Sequence, residues 1–328
     1  MQNQLGDKTG ISVNGDIDIF DGSEHRTVAE LGGSAQIALY DCSEGLGKQR
    51  VYSPNNPPPT DTIPTENSSN LITSGAVASV MPLPPNYTIN IPDDMAFDDA
   101  IDWLKTKSGS NVILNITQNV TSNVTTKFSD ISGFNVIRIQ GINRTVTINK
   151  PNSYFIVNSS ENAVSSGSLI NVIFNNITLQ GNINNFIYSY GVGSQIQLSY
   201  VDVTNSTGVT VNCSYGGGIL ITMSNITGAA SSDCIAIYAG GRLAINAVKD
   251  AGVGTSITTT GTALSARTGA LITVTNGALA INNAGIGLYV NNMGKIVCDS
   301  RPVFTNVTTQ TNLTPNTSGN YDSFIRMP

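Results

Sequence analysis

The chain has one histidine (His25), one tryptophan (Trp103) and four cysteines in 328 residues. A single histidine argues against histidine-dependent catalysis, and so few scattered Cys and His argue against a zinc cage. Charge is scarce too: 12% of residues are charged, against about 25% in ordinary globular chains. The balance of 16 basic and 22 acidic residues gives a net charge of −6. A nucleic-acid binder needs a basic footprint to displace counterions, and none is present. No apolar run approaches the ~20 residues that span a bilayer, so no membrane insertion is expected. The opening MQNQLGDKTG shows no basic segment followed by an apolar one, so no standard secretory signal is expected. With 40% hydrophobic residues, the chain has too much to bury to be disordered.

Asparagine, serine, threonine and glycine take the place of charge. There are 37 Asn, 29 of them after residue 100, and 32 Gly. Between residues 151 and 300 only nine side chains are charged: Glu161, Asp202, Asp233, Arg242, Lys249, Asp250, Arg267, Lys295 and Asp299. An uncharged polar exterior interleaved with Val, Ile and Leu suits stacked β-structure. Like charges on neighbouring strands repel there, whereas Asn, Ser and Thr ladders are tolerated.

Residues 1–52 read as a small β unit. Ile17 and Ile19 alternate with Asp16 and Asp18, a half-buried strand pattern, and TVAEL and AQIALYD look like two strands joined at Gly32-Gly33. Residues 53–64 hold five prolines in twelve positions, a stiff extended stretch, and a linker is expected over 53–92. One helix is expected, over 94–107. Asp93 or Asp94 would cap it, Phe97, Ile101 and Leu104 recur at i, i+4, i+7, and Lys105 and Lys107 precede a Gly109 stop.

After the helix the chain repeats. Segments from Phe186, Val209, Cys234, Thr262 and Ile286 each give an apolar strand, a Gly- or Asn-rich turn and a second alternating strand. A small residue opens the second strand at Ser168, Ser194, Gly218, Gly241, Gly269 and Gly294, at spacings of 26, 24, 23, 28 and 25. A period near 25 without helical patterning predicts a β-solenoid, and the Leu–Asn frame of leucine-rich repeats is missing. The expectation is all-β, with about eight coils over residues 93–301 in a rod of roughly 35–40 Å. The helix would cap one raw end, and residues 302–328, a C-terminal cap or tail, would cover or extend the other.

Candidate chemistry is thin. Glycoside hydrolysis wants two carboxyls roughly 5–9.5 Å apart. Asp202 and Asp233 are about five strand positions out of register, on the order of 16 Å, and Asp250, Glu161 and Asp299 match no better. DIDIFDG at Asp16–Gly22 resembles a calcium loop, but Phe20 fills a position that needs oxygen; neither metal nor other cofactor is expected. Cys213 and Cys234 lie about one coil apart yet miss each other in register, so free buried thiols are expected. Tyr238 and Tyr289 follow I-A-I and I-G-L, which suggests one repeat position on one face two coils apart, with Tyr188, Tyr190, Tyr200 and Tyr215 nearby. Exposed tyrosines stack on sugar rings, so Tyr238, Tyr289, Tyr190 and Tyr215 are the glycan-binding candidates, set against ordinary packing at coil corners. Asn115, Asn119, Asn123, Asn143, Asn176, Asn205 and Asn225 head N-x-S/T triplets, which a chain this rich in Asn and Thr produces by composition.

The order of the Phe97–Leu104 helix, NVILNIT, IRIQGIN and then coils of about 25 residues resembles the pectate-lyase-like right-handed parallel β-helices of tailed-phage fibres and spikes. ENSSNLITSGAVASV (Glu66–Val80) and the closing SGNYDSFI are similar to segments of phage virion proteins. The resemblance covers residues 66–328 and rests on architecture. It implies a virion location, a homotrimer, and docking of residues 1–52 to other virion proteins such as portal, tail or capsid. It further implies a host-surface polysaccharide as partner. The clustered acids of depolymerising tailspikes are missing, so a fibre is the first reading. A glycan lyase or hydrolase, with Asp202, Asp233 or Asp250 meeting at a trimer groove, is the alternative.

Overall fold

The structure, a computed structural model, describes residues 82–131, 133–158, 170–248, 254–314 and 323–328, together with seven short strands in the first 72 residues. The chain divides into Met1–Met81 and Pro82–Pro328.

In the first unit Ile17–Phe20 is a strand, as its alternation predicts, and pairs antiparallel with Thr9–Ile11 and His25–Thr27. His25–Thr27 pairs back onto Ile17–Phe20. Of the two strands expected to join at Gly32-Gly33, the second is seen at Ile37–Tyr40, paired with Lys48–Val51, and all of the first but Thr27 lies outside the described residues.

The second unit is a right-handed parallel β-helix built on three sheets. Sheet A has ten strands; sheets B and C have eight each. The chain visits A, B and C in turn, and each strand pairs with its equivalent one coil later. One inward column of sheet A runs Val112, Ile137, Val172, Ile196, Ile219, Leu243, Ile272, Ile296 and Ile325. Its successive members are 25, 35, 24, 23, 24, 29, 24 and 29 residues apart. Strand side chains alternate in and out, so every coil adds one apolar layer to a continuous core. A second column, Leu114–Ile139–Phe174–Leu198–Ile221–Ile245–Val274–Cys298, is likewise buried along its length. Each fully buried aliphatic contributes about 1.5–3 kcal/mol relative to exposure. Near the base, Phe155 packs edge-on against Phe174 at 5.0 Å and lies 5.8 Å from Phe186.

The small residues of the repeat do two jobs at the corner between sheets C and A. The turn itself needs positive φ at two residues, the type I′ pattern. Those pairs are Tyr215-Gly216, Ala239-Gly240, Thr268-Gly269 and Asn292-Met293. The next residue closes the turn, and its N–H donates to the carbonyl three residues back, as Gly241 does to Tyr238. That closing column is Ser194, Gly217, Gly241, Ala270 and Gly294. A Cβ on Gly241 would stand 2.7 Å from the Cys213 carbonyl oxygen, and one on Gly294 2.0 Å from that of Ala266. Gly218 opens its strand as expected but stands one residue after this closing column, Gly269 stands one residue before it, and Ser168 lies outside the described residues.

The β-helix begins earlier and ends later than the composition suggests. Tyr87–Ile91 is the first strand of sheet A, inside the expected linker. At the far end, Val303–Thr305 and Thr309–Thr314 complete the eighth coil and Phe324–Arg326 adds the last strand of sheet A. The described part of residues 302–328 thus extends the coils, one of the two roles expected of it.

Helix α1 covers Phe97–Leu104, shorter than the expected 94–107, and buries Phe97, Ala100, Ile101 and Leu104 against the core. Its N-cap is Ala96, with no side-chain cap. Asp94 is held elsewhere, accepting from the Asn90 backbone N–H (2.7 Å) and side-chain amide (3.1 Å), and Asp93 accepts from Thr117 (2.9 Å). Gly109 opens the next sheet A strand instead of terminating the helix. Beneath α1 lies Lys150, fully buried. Its ammonium donates to Ser122 Oγ (3.0 Å) and the Val124 carbonyl (2.5 Å) and sits 4.9 Å from the Phe155 ring centroid. Burial lowers its pKa to about 8, against the raising effect of nearby Asp98.

Candidate functional site: the outer face of sheet C

The outward residues of sheet C form two columns. One runs Tyr188, Asn212, Ala236, Ser265, Tyr289. The other runs Tyr190 and Ser214, then continues through Tyr238 to Arg267 and Asn291. The middle of the face is made of small side chains, and the large ones lean over them: Ala236 and Ser265 point outward yet are fully buried.

Two clusters result. In the lower one, the Tyr190 ring lies 4.8 Å from Tyr215 and 5.7 Å from Tyr188. The Tyr188 and Ser214 hydroxyls share a 2.8 Å hydrogen bond. Tyr215 is the most open of the three, at 58% exposure, because it sits at positive φ on the turn. In the upper cluster, the Arg267 guanidinium lies between two rings, 4.8 Å from Tyr289 and 5.6 Å from Tyr238. It donates to Asp233 (2.6 Å) and Ser265 Oγ (2.8 Å). Tyr238 hydrogen-bonds Asp233; burial first, then the Asp233 charge, push its phenol above the ordinary value. Such a cation between rings is worth about 0.5–2 kcal/mol and holds both ring planes.

Tyr238 and Tyr289 do share a face two coils apart, but they are not at one repeat position. The register pairs Ala236, Ser265 and Tyr289, leaving Tyr238 two residues further along its strand. That offset is what admits Arg267 between them. Between the clusters, Asn212 is 8% exposed; its amide nitrogen donates to Asn185 (2.7 Å) while its Oδ1 is buried without a partner. Arg267 and Asn212 were not legible as site residues, since only the exact strand register puts them beside the tyrosines. The alternation in T-A-L-S-A-R, with Ser265 and Arg267 both outward, was the available signal.

The acid candidates do not converge within the described chain. Asp202 opens a strand of sheet B, where it accepts from Arg144 (2.5 Å) and Asn225 (2.7 Å). Asp233 stands in sheet C beneath Arg267. Asp250 and Glu161 lie outside the described residues. Asp299 follows a sheet A strand and is exposed. Among the described residues no group of three His, Cys, Asp or Glu could hold a metal ion. Cys213, Cys234 and Cys298 are free and buried. Cys234 is in step with Thr210 while Cys213 is in step with Ile237, which keeps the two thiols apart. Cys42 lies outside the described residues. Of the N-x-S/T asparagines, Asn205 is buried and spends its amide on the carbonyls of Ile183, Thr207 and Val209, which leaves it no room for a sugar.

No protein-family model, curated protein or solved structure matches the chain.

Proposed function

We propose that the chain is a structural, adhesive virion appendage, a tail or head fibre. In this reading residues 1–52 attach it to the particle, and the β-helix projects the outer face of sheet C toward a host-surface glycan. The observation that carries the reading is the tyrosine strip. Tyr190 and Tyr215 in one cluster and Tyr238 and Tyr289 in the other present partly exposed rings along one face, with Arg267, Asp233 and Asn212 as polar groups between them. Rings supply flat apolar faces for pyranose C–H groups, while buried polar atoms select hydroxyls. The rigidity of the rod supports it too, since a surface held by hydrogen-bonded rungs loses little entropy on binding. Asp202 and Asp233, on different sheets and each bonded to an arginine, lend no support to the depolymerase alternative within one chain.

Two measurements test the proposal. Light scattering should give about three times 34.4 kDa, resistant to mild heating in detergent; a clean monomer removes the fibre assignment. On immobilised host-surface polysaccharides, Tyr190→Ala/Tyr238→Ala should weaken binding at least tenfold with its β circular dichroism intact. Wild-type protein that binds no polysaccharide, or a double variant that binds equally well, overturns the glycan face.

A further inference from the structure

The outer face of sheet A is chemically unlike that of sheet C. Its ten strands contain four charged residues, Arg138, Arg242, Lys295 and Arg326, and no acid. This is a cationic face on a chain of net charge −6. Arg144 and Arg267, on the other two sides, are neutralised by Asp202 and Asp233. Among the described residues, no carboxylate forms an ion pair with Arg242 or Lys295.

Two hollows lie on this face and share Arg242 and Leu271. The first, about 380 Å³, has Gly218, Leu220 and Ala244 in its floor, with Gln195, Gln197 and Thr273 around it. The second, about 440 Å³, continues past Gly269 and Met293 to Lys295. Gly218 has no backbone reason to be glycine. Its φ is not positive, and a Cβ there would meet nothing closer than Gln195 Cγ at 3.7 Å. Gly218 is the first residue of its strand and is paired on both sides, with Gln195 and Arg242; a glycine in a paired rung marks a place where another group approaches the backbone closely.

We infer that this groove binds a linear acidic polysaccharide lying along the rod axis, one with a carboxylate on alternate sugars. The spacing carries the choice. Arg242, Leu271 and Lys295 occupy one column on consecutive rungs, so the two cations stand two strand spacings apart, ~9.6 Å, with an apolar rung between. That is the span of one disaccharide: charged sugars would meet Arg242 and Lys295, and an uncharged ring would rest on Leu271. A polyphosphate backbone, charged at every unit, would leave its middle charge on Leu271. No aromatic ring lines either hollow, and the ring next in the column, Phe324, already has the Lys295 ammonium 5.6 Å from its centroid, so a row of nucleobases would find no run of stacking platforms. The groove is separate from the sheet C strip and stands independently of it.

The test is calorimetric titration of the full chain with a hyaluronate octasaccharide, whose carboxylates alternate, against its carboxyl-reduced neutral form. The acidic form should bind, weakening as salt rises from 50 to 300 mM, and the neutral form should bind at least tenfold more weakly. Arg242→Gln/Lys295→Gln should lose at least tenfold, and the swap Arg242→Lys/Lys295→Arg should recover to within threefold. Gly218→Val should abolish binding while melting no lower than wild type, a separation that a purely structural glycine would not show. Tyr190→Ala/Tyr238→Ala should bind the octasaccharide normally. Equal binding of the acidic and reduced forms, no binding of either, or loss in the tyrosine variant alone would each overturn the inference and leave the sheet C proposal to its own test.

Discussion

At the scale of single residues, the two kinds of glycine at the corner between sheets C and A should respond differently to the same methyl group. Gly269 sits at φ +74° with open space around its missing Cβ. Gly269→Ala should therefore cost only the left-handed penalty, about 1–2 kcal/mol. Gly294 has ordinary φ but a Cβ would land 2.0 Å from the Ala266 carbonyl oxygen. Gly294→Ala must push two coils apart, and about 3 kcal/mol is expected, at the upper end of overpacking. Urea midpoints of the two variants give the comparison directly.

Lys150 offers a second test at this scale. A lysine whose folded pKa lies near 8 and whose unfolded pKa lies near 10.5 is charged in both states at pH 7, where its burial penalty is fully present. As pH rises from about 8 to 10.5 the folded state gives up its proton first, and the penalty fades. Wild-type stability should thus gain from this group over that window. Lys150→Met should raise stability at pH 7 by about 1–3 kcal/mol and abolish that component of the alkaline gain, measured by denaturant titration at pH 7 and pH 10.

At the scale of elements, α1 is the piece on which the rest depends, because it closes the first rung. Its buried face is only Phe97, Ala100, Ile101 and Leu104, so Leu104→Ala should cost about 2–5 kcal/mol and expose an unpaired strand end. Trp103, the one tryptophan of the chain, lies on this helix 5.9 Å from Tyr87 and under the Lys107 ammonium. Its fluorescence therefore reports the cap by itself. In Leu104→Ala the emission should shift at a lower denaturant concentration than the far-ultraviolet signal of the coils; coincident shifts would show the cap and coils melt as one unit.

The period of the solenoid and its all-β character were legible in the sequence because successive coils from Ser194 onward turn the same corner, and the position that closes it holds only Ser, Gly or Ala. Register was less legible. In Gly216-Gly217-Gly218 nothing local says which glycine supplies positive φ, which avoids the carbonyl below and which opens the groove. The same one-residue ambiguity hid the offset between Tyr238 and Tyr289. The Arg144–Asp202 and Arg267–Asp233 pairs, 58 and 34 residues apart in sequence, exist only once coils of unequal length have been stacked. The 35-residue and 29-residue coils break any fixed spacing, so the sheet A groove had no one-dimensional signature. The helix was legible by its apolar spacing, but its caps were not, because Asp94 is engaged by Asn90 of the preceding strand and Asp93 by Thr117 of the next rung.

At the scale of the whole molecule, the three described thiols sample different heights of the rod: Cys213 and Cys234 in the fourth and fifth coils, Cys298 in the eighth. Burial pushes Cys213 and Cys298 up to about 11 and Cys234 up to about 12, so at pH 8 all three should resist a thiol reagent while folded. A stack that loses terminal rungs first should become reactive at Cys298 well before Cys213 and Cys234. Mass-resolved pulse labelling in sub-denaturing urea would show this; simultaneous reaction would mean the rod unfolds in one step.

The direction of the backbone bonds gives the rod a mechanical character. Strands run across the axis, so the ladders between rungs point along it. Tension applied between the two ends of the β-helix loads a few bonds at a time, as in peeling, and each released rung lengthens the chain by its own residue count. At about 3.4 Å per residue a 24-residue rung yields ~80 Å and the 35-residue rung ~120 Å. Force on the molecule should therefore be dissipated in a series of small, unequal steps, each reversible while the next rung still holds. Whatever load is pulled through the β-helix would be held by a shock absorber whose step sizes are written in the coil lengths.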